Sequence, residues 1–301
     1  MIELENAQAR LENIRSVQPI LSALHTISLG SWQAALNQRG RVQGYAERLE
    51  ILLPVVTMHL PPPHRQGKRS RRVDAVSTEE AKIAVLIIGS ERGLCGRFNA
   101  AVIERAEAHL ADQETSVKLM ALGSRVRRIL ERHGHQIAWS GTLSITTLPS
   151  FDLARTLARD WLAGYEAHEL DAVDLIYNAY RSLGSYEPTV ARLIPPARPF
   201  ISPVSRGDKE EEIPVIIETD SVSLYARVIE QLTATRLYAL LLESASAEHS
   251  ARYELMGAAT QNTDRLVDEL TLAIQTARQQ AITQEMQELA AGAGMIGTRN
   301  N

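Results

Sequence analysis

The stretch from about Asp220 to Ala291 sets what this chain can fold into. Some seventy residues pass without a proline, and Gly257 is the glycine inside them. Ala, Leu, Glu, Gln, Thr and Arg fill most of the rest, and most of these are good helix formers. As one helix the stretch would extend about 105 Å at 1.5 Å per residue, many times the three or four turns of an ordinary helix. Met256, Ala259, Thr263, Leu266, Leu270, Ala273 and Ala277 step by three and four, the spacing of a heptad seam. A seam needs a partner helix.

The other end of the chain supplies one. Leu4, Ala7, Leu11, Ile14, Gln18 and Leu21 repeat the same steps, with Glu3, Glu5, Arg10, Glu12 and Arg15 between them. The pattern predicts a helix over about Ile2–Leu53, kinked at Pro19 and ended by Pro54 and Pro61–Pro63. The economical arrangement pairs the termini as an antiparallel coiled coil, with everything between them inserted as one domain. Two separate helices packed on a globular core are the plainer alternative. The expected segments are 1–60 for the first helix, 74–218 for the inserted α/β domain and 220–296 for the second helix.

Between the helices the periodicity changes. Lys82–Ile88 (KIAVLII) is an apolar run of strand length, as in a buried parallel strand. Helices are predicted over 97–110, 124–133 and 153–165, and strands over 117–122, 136–139, 172–177 and 189–194. Alternating strands and helices imply βαβ units and a mostly parallel sheet. The basic segment 64–72 (HRQGKRSRR) and the charged segment 206–212 (RGDKEEE) read as surface loops. No aromatics interleave with the first for base stacking.

Composition removes several classes. Net charge is −4, so nothing draws the whole chain to nucleic acid or anionic membrane. A single cysteine, Cys95, excludes an internal disulfide and fits a reducing compartment. The N-terminus carries acids and no continuous apolar stretch, unlike a secretory signal. No apolar run reaches membrane-span length.

Few residues suggest chemistry. Gly89–Gly96 lies between a strand and a helix, where anions often bind. Its GxxxGxxG spacing is neither a dinucleotide fingerprint nor a Walker A sequence. It reads as a tight turn that uses glycine's freedom at positive φ. Cys95 has no evident histidine or carboxylate neighbour and reads as a small buried residue. His133 and His135 read as polar residues at a helix end. No catalytic, cofactor-binding or metal site is expected.

The remaining motifs carry a resemblance. Ser90-Glu91-Arg92-Gly93-Leu94-Cys95-Gly96, followed by Phe98-Asn99, resembles the S-D-R-G-L-C-G-x-x-N turn of the rotary ATP synthase gamma subunit. Ala277–Glu285 (ARQQAITQE) is similar to that family's A-R-Q-x-x-I-T-Q-E signature. Ser246–Arg252 with Met256–Asn262 (MGAATQN) is similar to its S-E-x-x-A-R…M-x-A-A-T-x-N segment. Arg10-Leu11 to Ala23-Leu24 fits the N-terminal pattern more loosely. Thr26–Ser31 (TISLGS) stands where the family has M-V-A-A-S-K, which marks a divergent member.

The resemblance implies an antiparallel coiled coil with an inserted Rossmann-like α/β domain. It implies the central rotor of an F-type ATP synthase, coupling ion flow to ATP synthesis or hydrolysis elsewhere in the complex. The implied partners are three alpha and three beta subunits, an epsilon subunit and the membrane c-ring. The implied place is the cytoplasmic face of the cell membrane, as a peripheral protein. Arg278, Gln279, Thr283 and Glu285 are the implied contacts to neighbouring subunits. Leu4, Leu11, Ile14, Leu21, Met256, Leu266, Leu270, Ala273 and Ala277 are the expected seam. A coiled-coil adaptor and a dinucleotide-dependent enzyme are the rival readings.

Overall fold

The computed structural model describes residues 2–61, 82–113, 116–144, 147–195 and 217–297. The expected basic loop 64–72 and charged loop 206–212 lie outside them. Helix α1 spans Ile2–Met58. Then come β1 (Ile83–Ile88), α2 (Phe98–Ala111), β2 (Val117–Leu122), α3 (Ser124–Arg132), β3 (Trp139–Gly141), α4 (Phe151–Glu166), β4 (Ala172–Ser182), β5 (Ser185–Ile194) and α5 (Ser221–Gly297). The chain divides into two compact units, Met1–Ile27 with Tyr253–Asn301, and Ser28–Arg252.

In the first unit α1 and α5 run antiparallel. Gln18 Nε2 donates to Asp264 Oδ1 at 2.6 Å, and the His25 ring stacks on Tyr253 with centroids 4.2 Å apart. The numbers fall on one helix as they rise on the other. Leu11, Met256 and Ile274 are buried here, while Leu4, Ile14, Leu21, Leu266, Leu270 and Ala277 are half-buried. Ala273 departs from the expected seam: it is exposed, and Ile274 takes the inward place at 6% exposure. The reason is helical geometry. Ile274 is eighteen residues beyond Met256, about five turns at 3.6 residues per turn, so the two share an azimuth; Ala273 points about 100° away.

In the second unit the order of the sheet is β3-β2-β1-β4-β5. The first four strands are parallel and β5 is antiparallel to β4. Every β1 residue is buried, and successive side chains point to opposite faces. Ile83, Val85 and Ile87 pack with Val102 and Ile103 of α2 and Val126 and Leu130 of α3. Ala84, Leu86 and Ile88 pack with Leu157 and Trp161 of α4, Val42 of α1, and Leu237 and Leu241 of α5. Within this unit the two long helices therefore form part of one covering layer of the sheet. Arg39–Glu243 at 3.2 Å and Arg236–Glu50 at 2.7 Å tie them to each other.

Several boundaries move from expectation. α1 is continuous through Pro19 and passes Pro54 to end at Met58. Pro54 removes one N–H, but Leu53, Val56 and Leu60 on the far side are buried. Thr57 and His59 side chains also reach back to the carbonyls of Leu53 and Val55. The third strand lies at 139–141 rather than 136–139. β4 and β5 continue past the apolar runs into a polar hairpin closed at Gly184, which has φ +67°. Pro188 sits within β5, a place that an edge strand tolerates because its outer face has no ladder. Asp220 starts α5 by accepting from the Ser223 amide at 2.8 Å.

Candidate functional site: a clasped turn and an exposed helix tip

The Ser90–Gly96 turn is held from three sides. Asn99 in the first turn of α2 receives the Ser90 amide at 2.9 Å and donates to Ser90 Oγ at 2.8 Å. Gly89 has no room for a side chain: a Cβ there would lie 2.7 Å from Val126 Cβ and 2.8 Å from Asn99 Oδ1. Positive φ falls at Leu94 (62°) and Gly96 (59°), so a leucine shares the strain expected of glycine.

Glu91 closes the second side. Its carboxylate accepts the amides of Ser124 and Leu143, each at 3.0 Å, and the Ser124 hydroxyl. A negative charge at the first residue of α3 also meets the positive end of the helix dipole. Partial burial opposes the charge, yet these hydrogen bonds and the nearby Arg128 hold the carboxyl below its ordinary pKa. Gly123 just before the helix has φ +106°, and a Cβ there would lie 2.5 Å from the Gly89 carbonyl oxygen.

The third side is α5. Arg252 donates to the Gly93 carbonyl at 3.3 Å, to Glu248, and to His249 Nδ1 at 3.1 Å. Because the guanidinium can only donate, His249 Nδ1 accepts and the ring is neutral, with its proton on Nε2. Burial, reinforced by the Arg252 charge, pushes the His249 pKa down to about 4. Burial raises Glu248, and Arg252 opposes that rise. A cavity of about 30 Å³ beside this cluster, lined by Glu91, His249, Glu248 and Arg252 among others, has room for about one water.

Cys95 lies in this turn at 2% exposure, packed with Phe98, Ala247, Tyr180 and Tyr186. Burial pushes its thiol pKa up to about 11, with Glu248 adding to the rise, which keeps the thiolate rare. His133 and His135 both approach Glu107 on α2, at 2.6 and 3.9 Å. The turn thus fastens α2, α3 and α5 together through side chains that are each committed to another protein group.

The second candidate lies on α5 of the other unit. Every side chain from Arg278 to Ala291 is exposed. Ile282, Met286 and Leu289 are 58%, 67% and 74% exposed and recur at helical spacing. Arg278 and Glu285, seven residues apart, share one side of the helix; Gln279 and Thr283, four apart, share another. The Thr283 hydroxyl donates back to the Gln279 carbonyl one turn earlier at 2.8 Å and keeps its acceptor lone pairs. In the sequence Ile282, Met286 and Leu289 do not stand out. Their mixture with Gln and Glu hides an apolar stripe that becomes evident once the paired part of the helix ends at Ala277.

Residues 3–295 match the family described as ATP synthase. The "ATP synthase gamma chain" of Pelotomaculum thermopropionicum is 30% identical over 296 residues, covering 98% of this chain and 100% of the relative. That of Rubrobacter xylanophilus is 31% identical over 301 residues, covering 97% and 98%. Among solved structures, a chain of the Euglena gracilis mitochondrial ATP synthase (OSCP/F1/c-ring) superposes with a TM-score of 0.63 at 14% identity. It covers 99% of this chain and 97% of its own length. A chain of the Tetrahymena thermophila mitochondrial ATP synthase central stalk and c-ring gives 0.55 at 20% identity, covering 80% and 99%. These two likenesses carry the fold, and the sequence matches over nearly the full length carry the family: the chain belongs to the ATP synthase gamma-chain family.

Proposed function

We propose that this chain is the central-stalk rotor of an F-type ATP synthase, a non-catalytic subunit that links ion flow to nucleotide chemistry in its neighbours. The observation that carries the reading is the tip of α5. A helix whose last described turns expose isoleucine, methionine and leucine beside Arg278 and Glu285 presents a surface that needs a surrounding partner. Alpha and beta subunits, three of each, would form a sleeve around it. An epsilon subunit and the c-ring would hold the rest of the rotor.

The mechanism requires asymmetry rather than a reactive group. Arg278 and Glu285 share a side that Gln279 and Thr283 do not. Each side favours a different state of the beta subunit it faces, so rotor angle and nucleotide affinity become one coupled equilibrium. Arg278 supplies a planar fork for a carboxylate, and Gln279 and Glu285 supply polar contacts. In the clasped turn the Glu91 carboxylate occupies the α3 amide, and Arg252 is spent on α5 and the turn. That arrangement suits a rigid joint better than a dinucleotide site.

Among the described residues no helix is long and apolar enough to cross a membrane. A place at the cytoplasmic face of the cell membrane, held there by partners, follows from the rotor reading. The test is purification of the chain under native conditions through an affinity tag on its N-terminus. The reading predicts a complex with three alpha and three beta chains per copy. Recovery as a homo-oligomer alone would favour the adaptor reading, and stoichiometric NAD binding by the chain would favour the enzyme.

A further inference from the structure

Helix α3 carries a second surface. Its sequence, SRVRRILER, places Arg125, Arg127, Arg128 and Arg132 against one acid, Glu131, in a chain whose net charge is −4. Arg127 pairs with Glu131 at 3.2 Å. The other three lie within about 60° of one another around the helix, are exposed, and line a groove with Glu131. Among the described residues none of the three forms a close ion pair, although Arg128 stands near enough to Glu91 to favour its charge. The Arg132 Nε instead donates to the Arg128 carbonyl, which steadies that side chain along the helix. The apolar side of α3 is used up: Val126 and Leu130 are buried and Ile129 packs against the sheet.

We propose that this arginine face is a docking surface for a carboxylate-rich segment of a partner polypeptide. The chemistry selects that occupant. All the cations are guanidinium forks, which match carboxylates bidentately, and the helix has no lysine. No apolar side chain remains on this face to enter a bilayer, so a lipid surface would hold it by charge alone. No aromatic accompanies the arginines to stack a base. Three like charges on adjacent turns repel one another, and opposing carboxylates would relieve that repulsion. The surface is separate from the tip of α5 and does not rely on it.

The test uses the full chain and a fluorescein-labelled peptide of ten glutamates as probe, followed by anisotropy at low salt. The chain binds the peptide, and added salt weakens the binding. Arg125→Gln/Arg128→Gln/Arg132→Gln lowers affinity about tenfold, the scale of three exposed charge pairs. A control, Lys118→Gln/Arg155→Gln/Arg159→Gln, removes the same charge elsewhere and lowers affinity far less. Should the triple variant misfold by circular dichroism, Arg128→Gln alone gives a smaller loss of the same kind. The proposal is overturned if the unaltered chain does not bind, if both triple variants lose affinity equally, or if the arginine triple loses none. It is also overturned if phosphatidylglycerol vesicles bind through these arginines while the peptide does not.

Discussion

Arg252 is the residue on which the clasped turn depends. It joins the Glu248 carboxylate and the neutral His249 imidazole, both on its own helix, to the Gly93 carbonyl of the turn. His249 makes the arrangement sensitive to acid. Above about pH 6.5 the ring is neutral whether folded or not, so it contributes no pH dependence. Below that, the unfolded chain takes up a proton that the folded chain refuses until about pH 4, so stability falls as pH falls through this window. The loss approaches about 3 kcal/mol, the free energy of moving the ring's titration from about 6.5 to about 4. His249→Gln keeps an acceptor for Arg252 but cannot titrate. Urea unfolding at several pH values should show a shallower acid limb for this variant; Glu248 titrates in the opposite sense but is common to both proteins. A limb of unchanged slope would contradict the buried-neutral assignment. Cys95 makes a contrasting prediction. Its thiol is packed and protonated, so Cys95→Ala should cost about 1–2 kcal/mol of stability and leave ATP turnover of the assembled complex unchanged, as a coupled-enzyme assay would read.

At the scale of elements, the seam and the tip of α5 should fail in different ways. Ile274→Ala removes a buried side chain and should cost about 2–4 kcal/mol. Leu266→Asp/Leu270→Asp places charge on two half-buried seam positions facing α1 and should be worse. Thermal melting of the chain checks both, and ATP-driven ion pumping set against ATP hydrolysis in vesicles should show lost coupling for the double variant. Ile282→Asp/Met286→Asp lies beyond the seam on exposed residues. It should leave melting unchanged and lower turnover of the assembled complex, with Arg278→Ala having a smaller effect because one contact among many is lost. If melting falls for the tip variant, those side chains are packed within the chain and the sleeve reading fails there.

These elements also show how much of the molecule was legible in its sequence. Strand β1 and the two long helices were, because an apolar run and a sustained heptad each dominate their surroundings. The hairpin ends of β4 and β5 were not, because Ser182, Ser185 and Glu187 carry no apolar alternation. Nor was the end of α1, where burial of Leu53 and Val56 outweighs one hydrogen bond lost at Pro54. Ala273 was misplaced because two three-and-four ladders fit the same heptads, and only a partner helix decides between them. The turn motif was recognisable, but its mechanics were not. Glu91 reaches Ser124 across 33 residues and Arg252 reaches Gly93 across 159, separations that no local pattern encodes.

At the scale of the whole molecule, a central-stalk rotor acts by turning rather than by catalysis. Replacing Cys95 by alanine and Lys118, an exposed residue on β2, by cysteine leaves one reactive thiol for a gold rod. The complex is fixed to a surface through its beta subunits, ATP is added, and the rod is followed by dark-field microscopy. The expected result is unidirectional turning with three pauses per revolution. ATP hydrolysis in the same complexes with the rod held at one angle would contradict it.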